Sequence, residues 1–103
     1  MARRIEWTSS ATVDLGEIAD YIAKDSRRYA AAMVRRIRDG VRSLRQSPMR
    51  GAVVPELHKA EIREISVGVY RIIYRLTDRI TILGVIHGAR DLTSLWMTER
   101  RPK

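Results

Sequence analysis

The sequence predicts an α+β fold ordered βααβββ, a helical hairpin packed on an antiparallel sheet with an optional short C-terminal helix. Three observations predict it. Two stretches in the first half repeat apolar residues at helical spacing, with a short polar break between them. Three strand-like runs follow in close succession, separated by tight-turn residues. One short strand-like run precedes them all.

The first run, RIEWT at residues 4–8, places Ile5 and Trp7 on one face of a strand and ends in the cluster Thr8, Ser9, Ser10. Ser9 or Ser10 is expected to cap the helix that follows. Leu15, Ile18, Ala19 and Ile22 form its apolar face. AKDSRR breaks it, and Ser26 is placed to cap a second helix. There Tyr29, Met33, Ile37, Val41 and Leu44 make the apolar stripe, and Pro48 ends it. The short break predicts an antiparallel αα-hairpin.

Residues 48–61 are expected to form an irregular loop punctuated by Pro48, Gly51 and Pro55. The strand-like runs are then IREISV (62–67), VYRIIYRL (69–76) and RITILGVIH (79–87), with turns at Gly68 and at Thr77–Asp78. Such short connections predict an antiparallel meander. The last run is apolar on both faces, as a strand inside a sheet would be. RDLTSLWMTE (90–99) is read as a short final helix or an ordered tail.

With 103 residues the chain is expected to be one domain, 1–103, and 45% hydrophobic residues suit a globular core. There is no cysteine, hence no disulfide framework or thiolate chemistry. MARRIEWTSS carries no apolar run of the signal-peptide kind, and no window has the length of a membrane span, so a soluble cytoplasmic protein is expected. His58 stands alone in the loop, so neither a metal site nor a cofactor is expected. The net charge is +8, and all basic residues except Lys24, Lys59 and Lys103 are arginine. A polyanion or an acidic protein partner would satisfy that charge equally.

Three constellations stand out. Alternation along residues 70–76 turns Tyr70, Ile72, Tyr74 and Leu76 to one face and Arg71, Ile73 and Arg75 to the other. With Arg63 on the neighbouring strand, these arginines would form a phosphate-binding sheet face. Alternatively they pair with Glu61, Glu64 and Asp78 on a solvated face. His87 and Arg90 follow the last strand, where a histidine can exchange a proton and an arginine can stabilise developing charge, or where both simply cap and pair. Arg28, Arg35, Arg38, Arg42 and Arg45 run along one flank of the second helix, as a docking row for an anionic partner or as a solvated face. Trp96 is expected to cover the core or to dock on a partner.

The order and spacing of AxxDLxEIADYIAxD (11–25), the P…G…VPE segment, RE, YRIIYR and HGARDL resemble the RelE/ParE superfamily of toxins from type II toxin–antitoxin modules, the plasmid-stabilisation type. The resemblance implies a βααβββ microbial-RNase-like fold and a cognate acidic antitoxin that wraps the toxin in a hetero-oligomer. It also implies one of two targets. RelE-like members cleave mRNA in the ribosomal A site, whereas ParE-like members inhibit DNA gyrase. Arg71 and Arg90 align with RelE catalytic arginines, and His87 would join them if the chain is RelE-like. The RelE tyrosine six positions beyond the second arginine falls on Trp96, which has an N–H donor but no acidic hydroxyl. The RelE lysine pair has no counterpart, since EIREI offers only Arg63. His87 and Glu56 are of the right type for the histidine and glutamate of other ribonuclease branches, although their positions do not match that pattern. Three readings follow: a ParE-like gyrase inhibitor, a ribosome-dependent endoribonuclease, and a non-toxic antitoxin-binding module.

Overall fold

The computed structural model describes residues 3–88. The elements run β1 (Ile5–Trp7), α1 (Ser9–Ala23), α2 (Arg27–Ser43), β2 (Ala52–Val53), β3 (Ile62–Val67), β4 (Tyr70–Leu76) and β5 (Ile80–His87), with a 3-10 turn at Pro48–Arg50. The strands form one sheet in the order β1-β5-β4-β3-β2. The predicted meander is there, β3 against β4 against β5, all antiparallel. The expectation of a wholly antiparallel sheet needs correction, because β1 joins β5 in parallel and the sheet is mixed. The helical hairpin accounts for this: it carries the chain away between β1 and the meander, as a crossover must. The loop expected at 48–61 also holds structure, the 3-10 turn and the short edge strand β2.

Helix α1 begins one residue earlier than its serines suggest. Thr8 is the N-cap, accepting a hydrogen bond from the Ala11 N–H at 3.1 Å. Its own N–H still donates to the Ile82 carbonyl at 3.0 Å, so the chain passes from strand pairing straight into the helix. Ser26 caps α2 as expected, accepting from Tyr29 N at 3.1 Å. The stripe of α2 is Ala30, Met33, Ile37, Val41 and Leu44, all buried, while Tyr29 is 55% exposed. The 3-4 spacing takes in Ala30 equally well, and its small side chain fits beside α1 where a tyrosine would not.

Between helices and sheet lie Ile37, Leu44, Ile72, Tyr74, Ile80 and Ile82, each fully buried. Burying one such isoleucine contributes about 1.5–3 kcal/mol. On the opposite face a smaller cluster of Ile62, Ile73, Leu83 and Ile86 is covered by Val54 and the partly buried Leu57 from the loop after β2. Gly68 makes the β3–β4 turn at φ +59, a left-handed conformation that glycine adopts without a side-chain clash.

A bulge in β5 changes what the strand presents. Ile73 pairs with Gly84 but Tyr74 with Ile82, so one extra residue sits in β5. Ile80 and Ile82 face the helices, and beyond the bulge Val85 faces them too. The Val85 N–H donates to the buried Asp14 carboxylate of α1 at 2.9 Å, which anchors the helix to the irregular point of the sheet.

Candidate functional site

Arg71 occupies the sheet face away from the helices, as alternation predicts. It is not open to a ligand. Its two terminal nitrogens donate to both oxygens of Glu56, at 2.9 Å and 3.0 Å, and its Nε donates to Glu64. Glu64 comes from β3, beside the Arg71 strand, and Glu56 from the loop that covers the second apolar cluster. The arginine hydrogen bond pulls the Glu56 carboxyl below its ordinary range, and the two carboxylates push the guanidinium still higher. Of the two readings of this face, pairing with the molecule's own carboxylates is the one found for Arg71. Glu64 was anticipated in that role. Glu56 was not, because its signal is a lone glutamate after Pro55 in a segment with no periodicity.

The other two arginines separate. Arg75 shares the outer face with Arg71, lying between Ile62 and Thr81 of the neighbouring strands, and among the described residues it makes no ion pair. Arg63 pairs with Tyr74 and therefore points to the helix side, where its Nη1 donates to the Gly51 carbonyl at 2.8 Å. A basic face made of Arg63, Arg71 and Arg75 together is thus corrected. Asp78 turns to Arg79 at the β4–β5 turn, at 3.8 Å, and Arg79 also meets Glu6 of β1 at 2.8 Å.

His87 also departs from simple counting. Strict alternation from Ile80 would place it on the outer face beside Arg71. The bulge reverses the phase, and the histidine ring meets the Tyr70 ring edge to face, centroids 6.0 Å apart, on the helix side. Arg71 and His87 therefore stand on opposite faces, and Glu56 belongs with Arg71 rather than with the histidine. Arg90, Trp96 and the final helix expected at 90–99 lie outside the described residues. Among the described residues no cluster of His, Cys, Asp or Glu could hold a metal ion, and no helix is long and apolar enough to cross a membrane.

The α2 flank presents the more open surface. A groove of about 510 Å³ runs between α1 and α2 on a floor that includes Ala19, Ala23, Ala31 and Val34, with Arg35, Arg38 and Arg42 at its rim. A second, about 440 Å³, continues toward β1 over Ile5, Trp7 and Leu15, sharing Arg38 and Arg42 and adding Arg45. Arg28 lines neither. Arg42 meets Asp39 at 3.4 Å, but both are so exposed that the pair does little to neutralise the row. Apolar floors under basic rims suit an amphipathic acidic segment better than a bare phosphate chain.

Several known proteins resemble this chain. A family described as the ParE toxin of type II toxin–antitoxin systems, parDE, matches residues 5–92. The solved structure of a chromosomal ParDE toxin–antitoxin system from P. aeruginosa superposes with a TM-score of 0.70 at 24% identity, over 84% of this chain and 96% of that one. The toxin–antitoxin complex RelBE2 from Mycobacterium tuberculosis superposes with a TM-score of 0.61, also at 24% identity, over 84% of this chain and 99% of that one. At such identity these likenesses are of fold. No match is found among curated proteins. The family match extends from β1 through the meander and just beyond it, and the helical hairpin on a mixed sheet is the fold of both solved structures, so the chain belongs to the family of ParE toxins of type II toxin–antitoxin systems.

Proposed function

We propose that this toxin acts by binding its target rather than by cutting RNA, that the target is DNA gyrase, and that an acidic antitoxin neutralises it in a hetero-oligomeric complex. The carrying observation is the double clamp on Arg71. Three of its five N–H groups, including the whole end-on fork, are given to Glu56 and Glu64, and two carboxylates already match its charge, which disfavours a scissile phosphate there. The facing of His87 toward Tyr70 supports the same reading, since a general base must share a face with the charge it works beside. Trp96 in place of the RelE tyrosine supports it from the sequence. The net charge of +8 and the basic-rimmed grooves on α2 favour an acidic antitoxin.

The endoribonuclease reading keeps one observation in its favour: among the described residues, Arg75 stands on the outer face without an ion pair. Two assays on the purified toxin separate the readings. Gyrase supercoiling should fall at micromolar toxin while mRNA on translating ribosomes stays whole. Intact supercoiling together with codon-phased mRNA cuts would overturn the proposal. Growth that continues after induction without the antitoxin would favour the non-toxic binding module.

A further inference from the structure

The two edges of the sheet are not alike. β2, at one end, is only two residues long. β1, at the other, carries Ile5, Glu6 and Trp7, each partly exposed, along a side where no described strand follows. Its hydrogen bonds fix which backbone groups look outward. The Ile80 N–H donates to the Arg4 carbonyl at 2.8 Å, and the Thr8 N–H donates to the Ile82 carbonyl at 3.0 Å. In a parallel pair every second residue bonds the neighbouring strand, so Arg4, Glu6 and Thr8 face β5. Ile5 and Trp7 therefore turn their N–H and C=O groups to the open edge.

Such an edge is usually guarded by a lysine, a proline or a bulge. β1 has none of these, and its one charge, Glu6, is matched by Arg79 at 2.8 Å. The side chains of Ile5 and Trp7 point to the helix side. There, with Leu15 and Val41, they make the apolar part of the groove of about 440 Å³, beneath Arg38, Arg42 and Arg45. A strand added beside β1 would set every second side chain next to Ile5 and Trp7, and so at this groove. We propose that β1 receives an extended acidic segment of the antitoxin as a further strand, its apolar side chains alternating toward the groove and its carboxylates toward the arginine rim. A second copy of this chain fits poorly, because the net charge of +8 would repel it. The inference rests on the antitoxin reading for the identity of the partner.

Amide hydrogen exchange, read residue by residue by NMR, tests this. In the free toxin Glu6 and Thr8 should be protected, and Ile5 and Trp7 should not. In the antitoxin complex Ile5 and Trp7 should slow by about tenfold or more. A complex that forms and leaves both exchanging freely overturns the added strand but not the antitoxin reading. Protection already present in the dilute free toxin, or growing with toxin concentration alone, assigns the edge to this chain's own tail or to a second copy and overturns the proposal. Where no complex forms, a synthetic peptide alternating valine and glutamate is the probe. If it protects Ile5 and Trp7, the edge site stands and the antitoxin reading falls; if it does not, both fall. Two variants separate backbone from side chain. Ile5→Pro removes an outward N–H without touching the ladder to β5, whereas Ile5→Ala removes the side chain and keeps the N–H. The proline variant should bind the antitoxin about tenfold more weakly than the alanine variant, and equal binding overturns the strand pairing. Arg45→Glu, at an exposed position that rims this groove and not the one between α1 and α2, should weaken binding about threefold or more at low salt. Unchanged affinity would move the acidic segment off this groove.

Discussion

Glu56 and Arg71, 15 positions apart in the chain, meet fork to fork, with Oε2 2.9 Å from Nη1 and Oε1 3.0 Å from Nη2. The pair ties the loop after β2 to the middle of the sheet, where Val54 and Leu57 of that loop close the second apolar cluster. It therefore serves the fold while it occupies the arginine.

Glu56→Gln should destabilise the protein by about 1–2 kcal/mol, less than a fully buried charged pair because the carboxylate is partly solvated. The effect is also pH-dependent. The folded Glu56 carboxyl titrates below its ordinary value of 4.5, so the unfolded chain takes up its proton first as pH falls. This contribution is complete above that ordinary value and is lost as pH drops through the lowered one. Denaturation midpoints followed from about pH 6 to about pH 3 should show a smaller acid-side fall in Glu56→Gln than in the wild type. Equal falls would remove Glu56 from the linkage.

Gly51 is required for space, not for conformation, since its φ of −76 is open to any residue. A Cβ there would crowd the Tyr74 hydroxyl and stand 2.7 Å from the Glu64 carbonyl oxygen. Gly51→Ala should cost more than about 2 kcal/mol. Tyr74→Phe should not rescue it, because the backbone clash with Glu64 persists. Thermal melts of the two single variants and the double variant would check this, and full rescue would show that the hydroxyl is the obstacle.

Thr8→Ala should lower stability by about 1 kcal/mol, whereas Ser9→Ala should change it much less, because only Thr8 satisfies a first-turn amide of α1. Equal losses in the two variants would return the cap to the serines.

That one-residue difference illustrates what the sequence could tell. Periodicity located the three long strands and the starts of both helices within a residue or so, because apolar spacing reflects burial along each element, but α2 stops at Ser43, short of the Pro48 expected to end it. It could not reveal the parallel pairing of β1 with β5, which joins residues over 70 positions apart. Nor could it reveal the bulge. Counting by twos along β5 carries His87 to the wrong face, and only the pairing of Ile73 with Gly84 and Tyr74 with Ile82 exposes the slip. The candidate site suffered for the same reason. Arg71 was legible from its strand, but its partner Glu56 lies in an aperiodic loop, and Arg63 changed faces because its phase follows Ile65 and Val67 rather than Arg71.

The α2 arginines should govern encounter rather than folding. Arg38 and Arg42 rim both grooves and are exposed. The double variant Arg38→Glu, Arg42→Glu should melt close to the wild type, since exposed charges contribute little to stability. Its association rate with an acidic antitoxin should fall about tenfold or more at low salt, with the gap closing as salt screens the field. Stopped-flow mixing across a salt series would measure this. A rate that is unchanged at low salt would mean that the partner approaches by another surface, and the apolar floors of the grooves would then need a different explanation from the row of guanidiniums above them.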